Sequence, residues 1–149
     1  MNLSLKATYG IMAALDLALQ NESAPVRAKA IARRQAIPAR FLEQVLHAMK
    51  RAGLLESLRG ARGGYLLTKL PAEVSLAQIV EALDGPLTLS SRGTGPRRGR
   101  ERARPDTLLG AVWDRVRQAE LGVLSGVTLK DLADRYRELE QERALMYHI

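Results

Sequence analysis

The stretch PARFLEQVLHAMKRAGLLESLRGARGGYLLT, residues 38–68, constrains the fold more than any other part of the chain. Pro38 suits a helix start, where a missing N–H has no partner to lose. Gly53 suits its end. Between them Leu42, Val45, Leu46 and Met49 recur at i, i+3, i+4 and i+7 and so share one face. At about 100° per residue, Arg40, Glu43, Gln44, His47 and Arg51 gather on the opposite face. A helix over 39–52 therefore has one side for a core and one side of long hydrogen-bonding groups. Two short apolar runs follow, 54–58 and 64–68, around Gly60-Ala61-Arg62-Gly63. This is the pattern of a β-hairpin.

A short helix over 27–35, with Ile31 inward, precedes this unit and joins it through Ala36-Ile37-Pro38. Two short helices joined by a tight turn, the second with such a face, suggest a helix-turn-helix. An ordinary solvated surface helix is the other reading of this segment taken alone. The hairpin behind it acts as the wing of a winged helix. Arg59 and Arg62 at its tip can then lie beside a phosphate backbone or enter a minor groove; the other reading is a surface hairpin with incidental arginines. Gly60, Gly63 and Gly64, next to Tyr65, let the backbone come close without a Cβ clash.

The rest of the chain reads as helical. Ser4 caps a helix over 5–20, with Tyr9, Ile11, Met12, Leu15 and Leu19 available for burial. Ser75 and Gln78 have capping-box spacing and open a helix that stops before Asp84-Gly85-Pro86. Asp106 is expected to cap a long helix to about residue 124. Its stripe of Leu109, Val112, Trp113, Val116, Ala119 and Val123 lies outside the small winged-helix core and needs a second surface, most naturally a dimer partner. Thr128 opens a last, polar helix to about residue 146. The expected class is mainly α with a small β-hairpin wing: a winged helix-turn-helix plus a long dimerisation helix. The expected organisation is a DNA-binding domain over 1–86, a flexible Arg/Gly-rich loop over 87–105, and dimerisation and C-terminal helices over 106–149.

Composition bounds the chemistry. The net charge of +7 points to a polyanionic partner, but residues 92–104 hold six arginines against one glutamate. Placement on α-helix and wing therefore carries the case for DNA, and a solvated spacer is the plainer reading of 92–104. The chain has no cysteine, which excludes disulfides, thiol catalysis and thiolate-held metal. His47 and His148 are the only histidines and do not suggest a metal site. No phosphate-cradling loop between strand and helix and no nucleophile elbow occurs. No enzyme activity and no cofactor are expected. With no apolar run of about 18 residues and no secretion-signal core, the cytoplasm is the expected compartment and no membrane partner is expected.

The segments LSLKATYGIMAALDLAL, IARRQAIPARFLEQVLHAMKRAGLLESLRGARGGYLL, VSLAQIVEALDGPL and VTLKDLADR, with Trp113, resemble the iron–sulfur cluster regulator (IscR), or Rrf-type, family of bacterial winged-helix transcription factors. That family includes nitric-oxide-sensing and cysteine-metabolism repressors. The resemblance implies that the helix bearing Arg40, Glu43 and Gln44 enters the major groove and that Arg59 reaches the minor groove. It also implies that the helix around Trp113 packs on its twin and that the target is an inverted repeat. Better-known members carry three cysteines before the long helix and often a histidine three residues before the tryptophan. This chain has no cysteine and has Gly110 there, so it resembles the cluster-free branch.

The expected function is a homodimeric repressor that binds double-stranded DNA sequence-specifically. Arg40, Glu43, Gln44 and His47 are assigned to base edges, flanked by Pro38 and Ala39 at the helix start. Lys6, Lys50, Arg51 and Arg62 are assigned to the backbone. The alternatives are a regulatory module acting mainly through a metabolic enzyme, with a small-molecule effector also conceivable, and a non-specific binder using 92–104.

Overall fold

The computed structural model describes residues 3–20, 23–87 and 105–148. Three helices lead: α1 (Leu5–Leu19), α2 (Ala28–Gln35) and α3 (Ala39–Arg51). A two-stranded antiparallel hairpin follows, β1 (Leu55–Leu58) and β2 (Gly64–Leu67), in the register Leu55 to Leu67 and Leu58 to Gly64. A short 3₁₀ turn, Pro71–Glu73, leads into α4 (Leu76–Asp84), and α5 (Pro105–Gly126) and α6 (Leu129–Met146) complete the chain. The class is the expected one, mainly helical with a small hairpin. The arginine-rich segment 92–104 lies outside the described residues.

Local chemistry accounts for the element starts. The Ser4 hydroxyl accepts from the Ala7 N–H at 2.9 Å. Ser75 and Gln78 cap each other reciprocally, and so do Thr128 and Asp131. Each arrangement satisfies N–H groups that have no partner within the helix. The long helix differs from expectation. It begins at Pro105, so Asp106 lies within its first turn rather than at its cap, and proline's fixed φ suits that first position. The 3₁₀ turn was also not foreseen. The Glu73 carboxylate accepts from the Leu70 N–H at 3.0 Å and closes it.

The core is built on small residues of α1. Ala7, Gly10, Ala13, Ala14 and Ala18 are buried with Leu17, whereas Tyr9, Ile11, Met12, Leu15 and Leu19 are only half-buried around them. The reason is close approach. A Cβ on Gly10 would stand 2.0 Å from the Leu83 side chain of α4. Large residues then fill the space from the other elements: Ile31, Leu42, Leu46, Met49, Ile79 and Leu129 are all fully buried.

Two tertiary ties lock this core. Asp16, on α1, is 2% exposed. Its carboxylate accepts from Arg34 Nε at 2.9 Å and Nη2 at 2.7 Å, and from Gln35 Nε2 at 2.9 Å. The paired carboxylate raises the Arg34 pKa above its ordinary value, mainly through the hydrogen bond. The second tie joins the starts of α4 and α6. Leu76 N–H donates to Val127 C=O and Leu129 N–H to Val74 C=O, an antiparallel bridge between Ser75 and Thr128. Through it Leu129 and Ala133 enter the same core as residues of α1 to α4.

Candidate nucleic-acid interface

Helix α3 buries Leu42, Val45, Leu46 and Met49 and exposes Arg40, Glu43, Gln44, His47, Lys50 and Arg51. The period expected from the sequence is thus the period observed. The turn before it is tight because Ala36 adopts the left-handed conformation, φ 51° and ψ 42°, at the end of α2. Ile37 N–H then donates back to Ala32 C=O. Pro38 and Ala39 are exposed at the start of α3, beside Arg40. Lys6 is exposed one turn before Tyr9 on α1, and Tyr9 meets Phe41 of α3 with ring centroids 6.3 Å apart.

The wing is held in three ways. Gly63 N–H donates to Gly60 C=O at 3.0 Å, closing the tip turn, and Gly60 has φ +107°. Val26 and Tyr65 exchange both main-chain hydrogen bonds, at 3.0 and 2.8 Å, an isolated antiparallel bridge that ties the segment before α2 to β2. The Arg27 guanidinium donates to Ala61 C=O and ties the tip to the start of α2. Gly64 has φ +149°, and a Cβ there would lie 2.6 Å from the Val26 backbone. Only glycine admits this approach.

The expected site residues therefore divide. Arg59, Gly60 and Arg62 are exposed at the wing tip. Gly63 is buried in the turn and Gly64 and Tyr65 are partly buried against Val26, so these three form the wing's frame. Lys50 reaches across to the hairpin, donating to Ser57 Oγ at 2.6 Å, and joins α3 to β1. Sequence reasoning missed Val26, Arg27 and Phe41. Arg27 sits 34 residues from its acceptor, so no local pattern marks it. Phe41, 51% exposed, could have been flagged as an aromatic beside Arg40 and off the buried stripe.

The expected dimerisation residues lie together on α5. Leu109, Val112, Trp113, Val116, Ala119 and Val123 are all exposed. The described residues include no helix long and apolar enough to cross a membrane.

A helix-turn-helix with an exposed polar recognition face, and an arginine-tipped hairpin directly behind it, define a winged-helix DNA-binding regulator of transcription. The comparisons with known proteins agree. The Rrf2 family, described as "Iron-dependent Transcriptional regulator", matches residues 3–135, and the chain belongs to that family. The HTH-type transcriptional regulator CymR of Bacillus subtilis is 33% identical over 147 residues, 99% of each chain. The HTH-type transcriptional regulator IscR of Cronobacter sakazakii is 32% identical over 141 residues, 94% of this chain and 85% of its own. The solved structure of CymR, the global cysteine regulator of B. subtilis, superposes with a TM-score of 0.74. It is 32% identical and covers 91% of this chain and 98% of that one.

Iron in the family description requires a donor set. The chain has no cysteine, so it lacks the thiolates that hold an iron–sulfur cluster. Among the described residues no three histidine, aspartate or glutamate side chains group so as to hold a metal ion. The position three before Trp113 is Gly110, which carries no ligating atom. The residues present do not fit the group.

Proposed function

We propose that this protein is a cytoplasmic, homodimeric repressor that binds an inverted DNA repeat and senses without an iron–sulfur cluster. The observation that carries the reading is the pairing of two exposed surfaces on one rigid frame. The polar face of α3 and the arginines of the wing are joined by Lys50 to Ser57 and by Arg27 to Ala61. Arg40, Glu43, Gln44 and His47 supply donors and acceptors for base edges in the major groove. A good bidentate contact of this kind contributes about 1–3 kcal/mol of discrimination. Glu43 can accept from a cytosine amino group, and it repels phosphate when the helix docks out of register. Arg59 and Arg62 hold the backbone or the minor groove, and Lys6, Lys50 and Arg51 flank them.

The second copy follows from α5. Trp113 is 57% exposed and Val123 64% exposed, and such a stripe is stabilised by burial against its twin. A two-fold dimer presents two α3 helices to half-sites about 34 Å apart, or a multiple of that.

Selection of genomic DNA fragments by the purified protein near physiological salt tests this directly. Enrichment of an inverted repeat is expected, and enrichment of nothing would sink the reading. On the enriched site Arg59→Ala should weaken binding to all sequences, whereas Gln44→Ala should change base preference at one position of each half-site. Affinity should fall with salt by roughly 0.9 log units per phosphate contact per log unit of salt.

A further inference from the structure

A cleft of about 380 Å³ opens between the root of the wing, the end of α1 and the 3₁₀ turn. It belongs neither to the face of α3 nor to the stripe on α5. Leu17, Val26, Leu67, Leu70 and Pro71 give it an apolar wall, and Ser23, Thr68, Lys69 and Glu73 give it a polar one. Leu70 is 60% exposed and also lines a second, smaller cavity against α6. A leucine left open between two cavities has an apolar face ready for a ligand, and a cleft of this volume lies in the range of small-molecule sites.

Two charged residues line the cleft, Lys69 and Glu73. They differ in what they are free to do. The Glu73 carboxylate accepts from Leu70 N–H and closes the 3₁₀ turn. Lys69 is exposed and makes no ion pair or hydrogen bond with a described residue. The cleft thus offers an apolar body-sized space with one available cation at its edge.

We propose that this cleft binds a small apolar monocarboxylate, its hydrocarbon body against the leucines and its carboxylate on Lys69. The site also reaches the DNA-binding surface. Val26 and Tyr65 line it, and their paired hydrogen bonds carry the ribbon that aims Arg59 and Arg62. A ligand seated there presses on the wing at its root.

The test uses the full-length protein without DNA, so its failure is separate from failure of the DNA-binding reading. 4-Phenylbutyrate serves as probe and 4-phenyl-1-butanol as its uncharged counterpart, each titrated to about 10 mM while backbone amide resonances are followed. Saturable shifts are expected at Val26, Tyr65 and Leu70, with smaller shifts at Ala61 and Arg62 on the wing tip. Ala24→Phe, at an exposed position lining the cleft, should abolish them without touching the core. Lys69→Met should weaken the carboxylate about fivefold, the size of one exposed charge-assisted hydrogen bond. No saturation, or undiminished binding to Ala24→Phe, overturns the site. Equal affinity for the alcohol overturns the assignment to a carboxylate. A wing tip that stays still while the lining residues saturate overturns the coupling.

Discussion

Helices α3 and α5 both carry apolar stripes at helical spacing, and the two stripes have opposite fates. In α3 Leu42, Val45, Leu46 and Met49 are sealed inside the protomer. In α5 Leu109, Val112, Trp113, Val116 and Val123 stand open. The difference lies in what surrounds each helix. α3 is enclosed by α1, α2, α4 and the hairpin, whereas α5 meets the core chiefly through α4. Periodicity marks a face that must be covered; it does not state by what. In α3 the cover is intramolecular and the opposite face is left exposed. In α5 we propose that the cover is a second chain.

Paired truncations break this comparison most sharply. Leu46→Ala removes a fully buried side chain and should destabilise the fold by about 2–5 kcal/mol, read by denaturant titration. Trp113→Ala should leave the protomer's circular dichroism intact while shifting sedimentation from dimer toward monomer. A Trp113 variant that unfolds the protomer would place that ring in a core instead. Arg34→Met comes next. It strips a buried carboxylate of two of its three hydrogen bonds. A loss of about 3 kcal/mol is expected, while Asp16→Asn should cost less, because Arg34 is partly exposed and can be solvated.

Gly64→Ala sharpens the comparison within the DNA-binding unit. Its Cβ meets the Val26 backbone, so the wing should lift while α3 stays packed. The expected cost is about 2 kcal/mol, with hydrogen exchange rising at Val26 and Tyr65 and not at Leu46. Ala36→Gly should act in the opposite sense. Relief of the left-handed conformation should add up to about 1 kcal/mol, partly offset by the greater entropy of the unfolded chain.

The smallest effect is one of pH. The Thr128 N–H holds the Asp131 carboxyl below its ordinary pKa. A depressed carboxyl stabilises the fold above the ordinary carboxylate range, and that contribution is lost as pH falls through its lowered value. The first turn of α6 should therefore fray slightly in acid, and Asp131→Asn, which has no carboxyl to titrate, should remove that pH dependence.

Much of this was legible beforehand because the signals are local. The caps at Ser4, Ser75 and Thr128 and the tip turn at Gly60 to Gly63 each depend on residues within four positions of one another, and the face of α3 on a repeat whose successive members lie within four. What escaped was set by distance along the chain. Val26 pairs with Tyr65, Arg27 reaches Ala61, and Asp16 binds Arg34. None of these partners lies within one helical turn of the other. The burial of α1 was legible only in part, for the same reason: Tyr9, Ile11, Met12, Leu15 and Leu19 do pack against the core, but half-buried. Its large residues are the obvious apolar ones, but the nearness of α4 puts its small residues inside.

The amino-acid sequence by itself determined the helices, their caps, the recognition face and the absence of thiolate ligands, because periodicity, capping and donor chemistry are written in neighbouring residues. The tertiary structure alone decided which elements seal the stripe of α3 and which small residues of α1 lie innermost. It also decided which glycine supports the wing and where a cleft forms at its root. Those outcomes depend on which elements meet, and meeting is a property of the packed chain.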